Sequence, residues 1–197
     1  MKRIATIKRK TAETDIVVEL LLDGQGDYQI DTSVPFLDHM LNLFAKHGFF
    51  NLKIKASGDI QIDYHHTVED IGICLGKAFQ KALSDKKGIR RYGESSVPMT
   101  DALATVVADF SGRGNLIFQV DFPASRVGDM DVELFSEFFR AFSANAGADL
   151  HIRLHYGENI HHCIEAVFKA FGRACDLAVQ LEPRQGGIQS TKGSLDP

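Results

Sequence analysis

His65-His66-Thr67-Val68-Glu69 and His161-His162-Cys163-Ile164-Glu165 repeat one spacing, His-His-x-x-Glu, in a chain of 197 residues with eight histidines in all. Imidazole and carboxylate without thiolate form a donor set for manganese, iron or zinc, and a six-coordinate site favours manganese. At the start of a helix, the first histidine and the glutamate of each motif lie four residues apart and share a face. His66 and His162 then point elsewhere, free to serve a second ion. A lone histidine is more often an ordinary core or surface residue than a ligand. Two matched pairs weaken that reading.

The repetition extends outward. His65, His66, Glu69, Gly76 and Ala78 recur as His161, His162, Glu165, Gly172 and Ala174. Upstream, PFLDHMLNLFAKHG corresponds to VELFSEFFRAFSANAG and LLDGQGDYQI to DFSGRGNLIF, with the small changes of offset that loop insertions produce. The chain reads as two copies of one unit. They span about 5–85 and 98–182 of a single domain over 1–197, followed by a C-terminal tail. Aligning the first helices sets His39 opposite Glu137. Symmetry then predicts one metal site from His65, Glu69, His162 and Glu137, and another from His161, Glu165, His66 and His39.

These residues need elements to hold them. Ile16 to Leu22 and Tyr28 to Ile30 flank Gly24 and Gly26, as Ala104 to Phe110 and Leu116 to Val120 flank Gly112 and Gly114, and both pairs read as β-hairpins. Asp31, Thr32 and Ser33 offer N-caps to a helix carrying Phe36, Leu37, Met40, Leu41 and Phe44, which Gly48 closes. Alternation around Ile54 and around Ile152 predicts a further strand in each copy. A second helix follows each His-His pair, with apolar stripes through Val68, Ile71, Leu75 and Phe79 and through Ile164, Val167, Phe168 and Phe171. The expected fold is α+β: two duplicated βα half-domains, each a sheet with helices on one face, packed helix to helix. The segment Ser84 to Pro98, rich in Lys, Arg, Gly and Ser, is the expected linker.

Composition narrows the function classes. A net charge of −4 gives no overall basic excess to attract nucleic acid. No apolar run approaches the roughly 18 residues of a membrane-spanning helix, and MKRIATIKRK lacks a signal-peptide core. The chain is read as soluble and cytoplasmic. Three cysteines, Cys74, Cys163 and Cys175, have no C-x-x-C spacing and read as small buried residues. Rival readings at this level are a dinuclear hydrolase of phosphate esters, a metal-storage protein and, disfavoured by charge, an RNA-binding module.

The chain resembles the imidazoleglycerol-phosphate dehydratases. The likeness runs from Arg3 to Asp196 and rests on separated motifs. Among them are Arg9-Lys-Thr-Ala-Glu13-Thr, Phe36-Leu-Asp-His39-Met-Leu, Asp63-Tyr-His65-His66-Thr-Val-Glu69-Asp and Gly88-Ile-Arg90-Arg91-Tyr-Gly. The others are Asp109-Phe-Ser-Gly-Arg113, Leu150-His151-Ile, the stretch from His161 to Phe171, and Ser190-Thr-Lys192-Gly. The resemblance implies two Mn2+ per active site and dehydration of imidazole glycerol phosphate to imidazole acetol phosphate in histidine biosynthesis. It also implies a cubic-symmetry homo-oligomer of about 24 copies whose neighbours complete each site. The position of Glu137 is often histidine in the family, and Cys163 replaces an aliphatic residue.

The chemistry accounts for a metal. The proton to be lost is on a carbon that is not acidic, and a Lewis acid on the imidazole would let the ring expel the neighbouring hydroxyl first. A carboxylate can then take the proton. The family motif makes Glu13 the base, and the duplication sets Asp101 opposite it as a second acid/base or orienting group. Arg90, Arg113, Lys169, Ser190 and Lys192 match the residues that bind the substrate phosphate.

Overall fold

The structure, a computed structural model, describes residues 2–195; Met1, Asp196 and Pro197 lie outside it. Each half runs strand, strand, strand, helix, strand, helix. The first contains β1 (Ile4–Lys10), β2 (Thr14–Leu21), β3 (Tyr28–Asp31), α1 (Pro35–His47), β4 (Asn51–Gly58) and α2 (His65–Leu83). The second contains β5 (Tyr92–Met99), β6 (Ala102–Asp109), β7 (Asn115–Gln119), the added hairpin β8 (Arg126–Val127) and β9 (Met130–Asp131), α3 (Glu133–Ala146), β10 (Asp149–Tyr156) and α4 (Ile160–Val179). The sheets have matching strand orders, β1-β2-β4-β3 and β5-β6-β10-β7.

This order corrects the expected hairpins. β2 and β3 are separated by β4, which is antiparallel to β2 and parallel to β3. β6 and β7 are likewise separated by β10. The hairpins that do form are β1–β2 and β5–β6. The glycine-bearing loops, at Gly24 and Gly26 and at Gly112 and Gly114, therefore cross the width of an intervening strand. β5 also occupies much of the expected linker and pairs with β6 in the second sheet. Its Ser-rich sequence hid the strand, although Gly93, Ser95 and Val97 alternate inward.

Apolar residues alternate on one face of each sheet: Ile16, Val18 and Leu20 on β2, and Ala104, Val106 and Ala108 on β6. Those faces cover α1 and α2 in the first half and α3 and α4 in the second. The halves meet helix to helix, α2 against α3 and α1 against α4. Phe44 stacks on Phe171 with ring centroids 4.7 Å apart, and Phe79 on Phe110 at 5.9 Å. Glycine sets the depth of this packing. A Cβ on Gly76 of α2 would lie 2.6 Å from the Phe142 carbonyl oxygen of α3, and one on Gly172 of α4 would lie 2.5 Å from the Phe44 carbonyl oxygen of α1. The duplicated glycines thus mark the same close contact on both sides of the pseudo-symmetry.

The helix ends explain how the motifs are presented. α1 starts after Val34 with Pro35 at its first position, not after a side-chain cap. Asp38 reaches back to accept hydrogen bonds from the Thr32 backbone N–H (2.8 Å) and hydroxyl (2.5 Å), which reverses the expected capping direction. Gly48 does close α1. α4 is capped by Asn159, whose side-chain oxygen accepts from the backbone N–H groups of His161 and His162. Both His-His pairs thus sit in a first helical turn, as the spacing predicts.

Candidate active site

In α4, His161 Nε2 lies 3.0 Å from Glu165 Oε1. His39 of α1, brought across the interface between halves, places its Nε2 2.9 Å from the same oxygen. The three ligand atoms lie within 4.8 Å of one another. Two imidazoles converging on one carboxylate oxygen are a set that a divalent cation can bind together. Lys169, one turn beyond Glu165, donates to Glu165 Oε2 at 2.5 Å. Burial opposes ionisation of Glu165, but Lys169, His39 and His161 outweigh it and bring the carboxyl down to about 2. The carboxylate is thus held charged, as a metal ligand must be.

The other copy is open. His65 Nε2 is 3.9 Å from Glu69 Oε2, and both side chains are nearly half exposed. Glu137, the counterpart of His39, lies 3.7 Å from Arg140 on its own helix. Among the described residues of one chain, His65, Glu69, His162 and Glu137 do not converge as the symmetry argument expects, and His66 does not join His39, His161 and Glu165.

The second histidine of each motif faces a carboxylate. His162 Nδ1 donates to Asp101 Oδ1 at 2.5 Å. Asp101, in the β5–β6 turn, also accepts the backbone N–H groups of Glu158 and Asn159 at 2.8 Å each. Those backbone donors and His162 hold its carboxyl well below the usual carboxylate range. Three donors thus converge on this one carboxylate. His66 Nδ1 donates to Asp59 Oδ2 at 3.0 Å, a residue the sequence reading overlooked. Hydrogen bonding to Asp59, followed by the nearby Glu13 and the Asp59 charge, raises the His66 pKa against desolvation.

Glu13 sits in the β1–β2 turn, the topological equivalent of the turn that carries Asp101. Its carboxylate is 3.8 Å from His66 Nδ1 and its side chain is half exposed. The turn is tied to the motif helix. Thr14 Oγ1 donates to buried Asp70 Oδ2 at 2.5 Å, and Arg9 Nε lies 2.9 Å from Asp70 Oδ1. Asp70 directly follows Glu69, so one helix carries the motif and anchors the turn. The second half has Ala166 at that position.

A separate cavity of about 620 Å³ gathers Arg113, Ser190 and Lys192 with Arg91, Ser111 and Thr191. Guanidinium, ammonium and hydroxyl donors without a facing carboxylate ligand set suit an anion. Arg113 is held at 2.9 Å from Asp149. Two of the expected phosphate ligands are elsewhere: Arg90 faces Glu182 at 3.8 Å, and Lys169 is at the metal-ligating group. Arg90 does not line this cavity, and Arg91, not among the expected residues, does. Its backbone has a positive φ of 71°, its side chain pairs with Asp109 at 2.6 Å, and it donates to the Gln189 carbonyl at 2.8 Å, pinning the tail. Adjacent arginines in sequence give no sign of which one the strained backbone turns inward.

A profile of the imidazoleglycerol-phosphate dehydratase family matches residues 32–175. The chain is 59% identical over 195 residues to the imidazoleglycerol-phosphate dehydratase of Pelobacter propionicus, covering 99% of this chain and all of that one. It is 58% identical, with the same coverage, to that of Geobacter metallireducens. Its fold matches the crystal structure of the Staphylococcus aureus enzyme with a TM-score of 0.82 at 42% identity, over 91% of this chain and 99% of that one. The Pyrococcus furiosus enzyme in complex with (S)-C348 matches with a TM-score of 0.83 at 34% identity, over 95% and 99%. Motifs, duplicated topology and full-length likeness agree, and the chain belongs to the imidazoleglycerol-phosphate dehydratase family, a family of hydro-lyases.

Proposed function

We propose that this protein dehydrates imidazole glycerol phosphate to imidazole acetol phosphate, a step of histidine biosynthesis, using two manganese ions per active site. The observation that carries the metal dependence is the convergence of His39, His161 and Glu165. These residues fit a divalent cation: the donors are oxygen and nitrogen, the carboxylate is ionised, and no thiolate competes, since Cys163 is buried with its thiol pKa raised by that burial. His65, His66, Glu69, Glu137 and His162 are the ligands assigned to the remaining coordination positions.

A bound cation supplies Lewis acidity to the imidazole of the substrate. The chain supplies the rest. Glu13, exposed beside His66, accepts the proton from the carbon next to the one that loses hydroxyl. Lys169 keeps Glu165 anionic. Arg113, Ser190 and Lys192, joined by Arg91, hold the phosphate and fix the carbon chain relative to Glu13.

The geometry also supports a shared site. Arg91, at the anion cavity, donates its backbone N–H to Ala178 at the end of α4, whereas His161 opens that helix. At 1.5 Å per residue the two ends are about 25 Å apart. A substrate with three carbons between imidazole and phosphate cannot bridge that distance. The cavity of one subunit therefore serves the metal ligands of another, which favours a homo-oligomer; about 24 copies is the number the family resemblance implies. No described helix is long and apolar enough to cross a membrane, in keeping with a cytoplasmic enzyme.

The test is an assay of chelator-stripped protein with and without added manganese, scoring ketone product and inorganic phosphate separately. Manganese-dependent imidazole acetol phosphate without phosphate release is expected. Phosphate release would replace the dehydratase reading with a hydrolase; metal uptake without either product would leave a binding protein.

A further inference from the structure

The geometry points to Asp59 and Asp101 as positioning residues that fix the ring orientation and tautomer of His66 and His162, delivered to the same role by different parts of the two halves. This rests on the metal-binding reading above. In each motif the second histidine donates from Nδ1 to a carboxylate, 3.0 Å to Asp59 and 2.5 Å to Asp101. A proton held at Nδ1 leaves the lone pair at Nε2, the nitrogen then able to bind a cation. Carboxylates behind ligating histidines both orient the ring and raise its basicity.

The two carboxylates are not equivalent by descent within the chain. Asp101 stands in the β5–β6 turn, where the first half has Glu13. Asp59 follows β4, where the second half has the Gly157-Glu158 segment after β10. Asp59 is built in. Its side chain is 15% exposed, its backbone N–H donates to the Glu13 carbonyl at 3.1 Å, and its Oδ1 is buried without a hydrogen-bond partner. Burying an unpaired carboxylate oxygen is costly, and such a group in a native fold calls for a reason. The carboxylate is kept in this position with its other oxygen, Oδ2, on His66. With Asp59 doing in the first half what Asp101 does in the second, Glu13 is released from orienting His66 and stays available to take a substrate proton.

The test uses the full-length oligomer, stripped with chelator, and needs no substrate. Side-chain 15N NMR above the imidazole titration range should show His66 and His162 protonated at Nδ1; protonation at Nε2 in the parent protein overturns the inference without any variant. Calorimetric titration with Mn2+ should show Asp59→Ala and Asp101→Ala each binding roughly 10–100-fold more weakly, with the corresponding histidine shifted toward the Nε2–H form. Asp59→Asn, which keeps an oxygen acceptor for Nδ1–H, should recover most of the affinity. Alanine variants that bind Mn2+ as tightly as the parent, with unchanged tautomers, refute the positioning role while leaving the dehydratase reading intact. A parent protein that takes up no Mn2+ would sink both.

Discussion

Two copies of His-His-x-x-Glu begin equivalent helices, yet one is closed and the other open. In α4, Glu165 is buried, ionised and shared between His161 and His39 from the opposite half. In α2, Glu69 is half-exposed and 3.9 Å from His65, and the counterpart of His39 is Glu137, turned to Arg140. The carboxylates behind the motifs differ too, Asp59 in one half and Asp101 in the other. Duplication preserved the backbone and the ligand spacing, while single side chains changed which jobs each half performs. One motif gathers three candidate ligands within the chain, and the other leaves its own half-exposed.

Removing the closed half's shared oxygen should be the most damaging change. Glu165→Ala is expected to lower kcat/KM by on the order of 10³-fold, the rate equivalent of about 4 kcal/mol of lost transition-state stabilisation. If the open half is completed by another subunit, Glu69→Ala should be nearly as severe. Near-parental activity in Glu69→Ala would show that the two motifs are unequal in function as well as in packing.

The two equivalent turns give a sharper contrast. Glu13→Gln should reduce kcat by roughly 10²–10⁴-fold, the usual contribution of a general base. Asp101→Asn at saturating Mn2+ should stay within about tenfold of the parent, because it acts through His162. Similar losses from both would return Asp101 to the proton-transfer chemistry.

At the helix interface the halves should behave alike. Gly76→Ala and Gly172→Ala each force a methyl group against a carbonyl oxygen, and each should destabilise the protein by about 1–3 kcal/mol in urea unfolding. Asp70→Asn should cost about 2 kcal/mol by weakening the pairing with Arg9 and Thr14. It should also lower kcat, since the Glu13 turn loosens. The second half has Ala166 there and no anchor to lose. A stability loss with kcat intact would separate Asp70 from the Glu13 turn.

The smallest effect is in acid. The folded-state pKa of Asp101 lies below its ordinary value, so the stability it contributes is fully present above the usual carboxylate range. It is lost as pH falls through that range and below it. The unfolding midpoints of parent and Asp101→Asn, followed from neutral pH downward, should converge only in strong acid. Convergence near neutrality would mean the three donors do not hold that charge.

Much of the site could be read from residue spacing alone. A carboxylate four residues after a histidine at a helix start faces the same way in any helix, so His161 and Glu165 were determined locally. The apolar stripes of the helices and the repeated glycines likewise fixed the α+β duplication, because helical period and close approach are properties of short segments. Strand order was different. The loops at Gly24 and at Gly112 looked like hairpin turns, and only a full sheet reveals that β4 and β10 insert between the strands they join. β5 was hidden because its Ser-rich stretch has few apolar side chains, and its burial depends on α4 packing above it.

The sequence by itself determined which residues could bind metal and where each helix would present them, since those are matters of local geometry and donor chemistry. Tertiary structure alone decided that His39 crosses to Glu165, that Asp59 and not Glu13 stands behind His66, and that Arg91 rather than Arg90 turns into the anion cavity. Each of those outcomes depends on elements far apart in sequence being pressed together by the core. Spacing along the chain carries no information about which side chain arrives across such an interface.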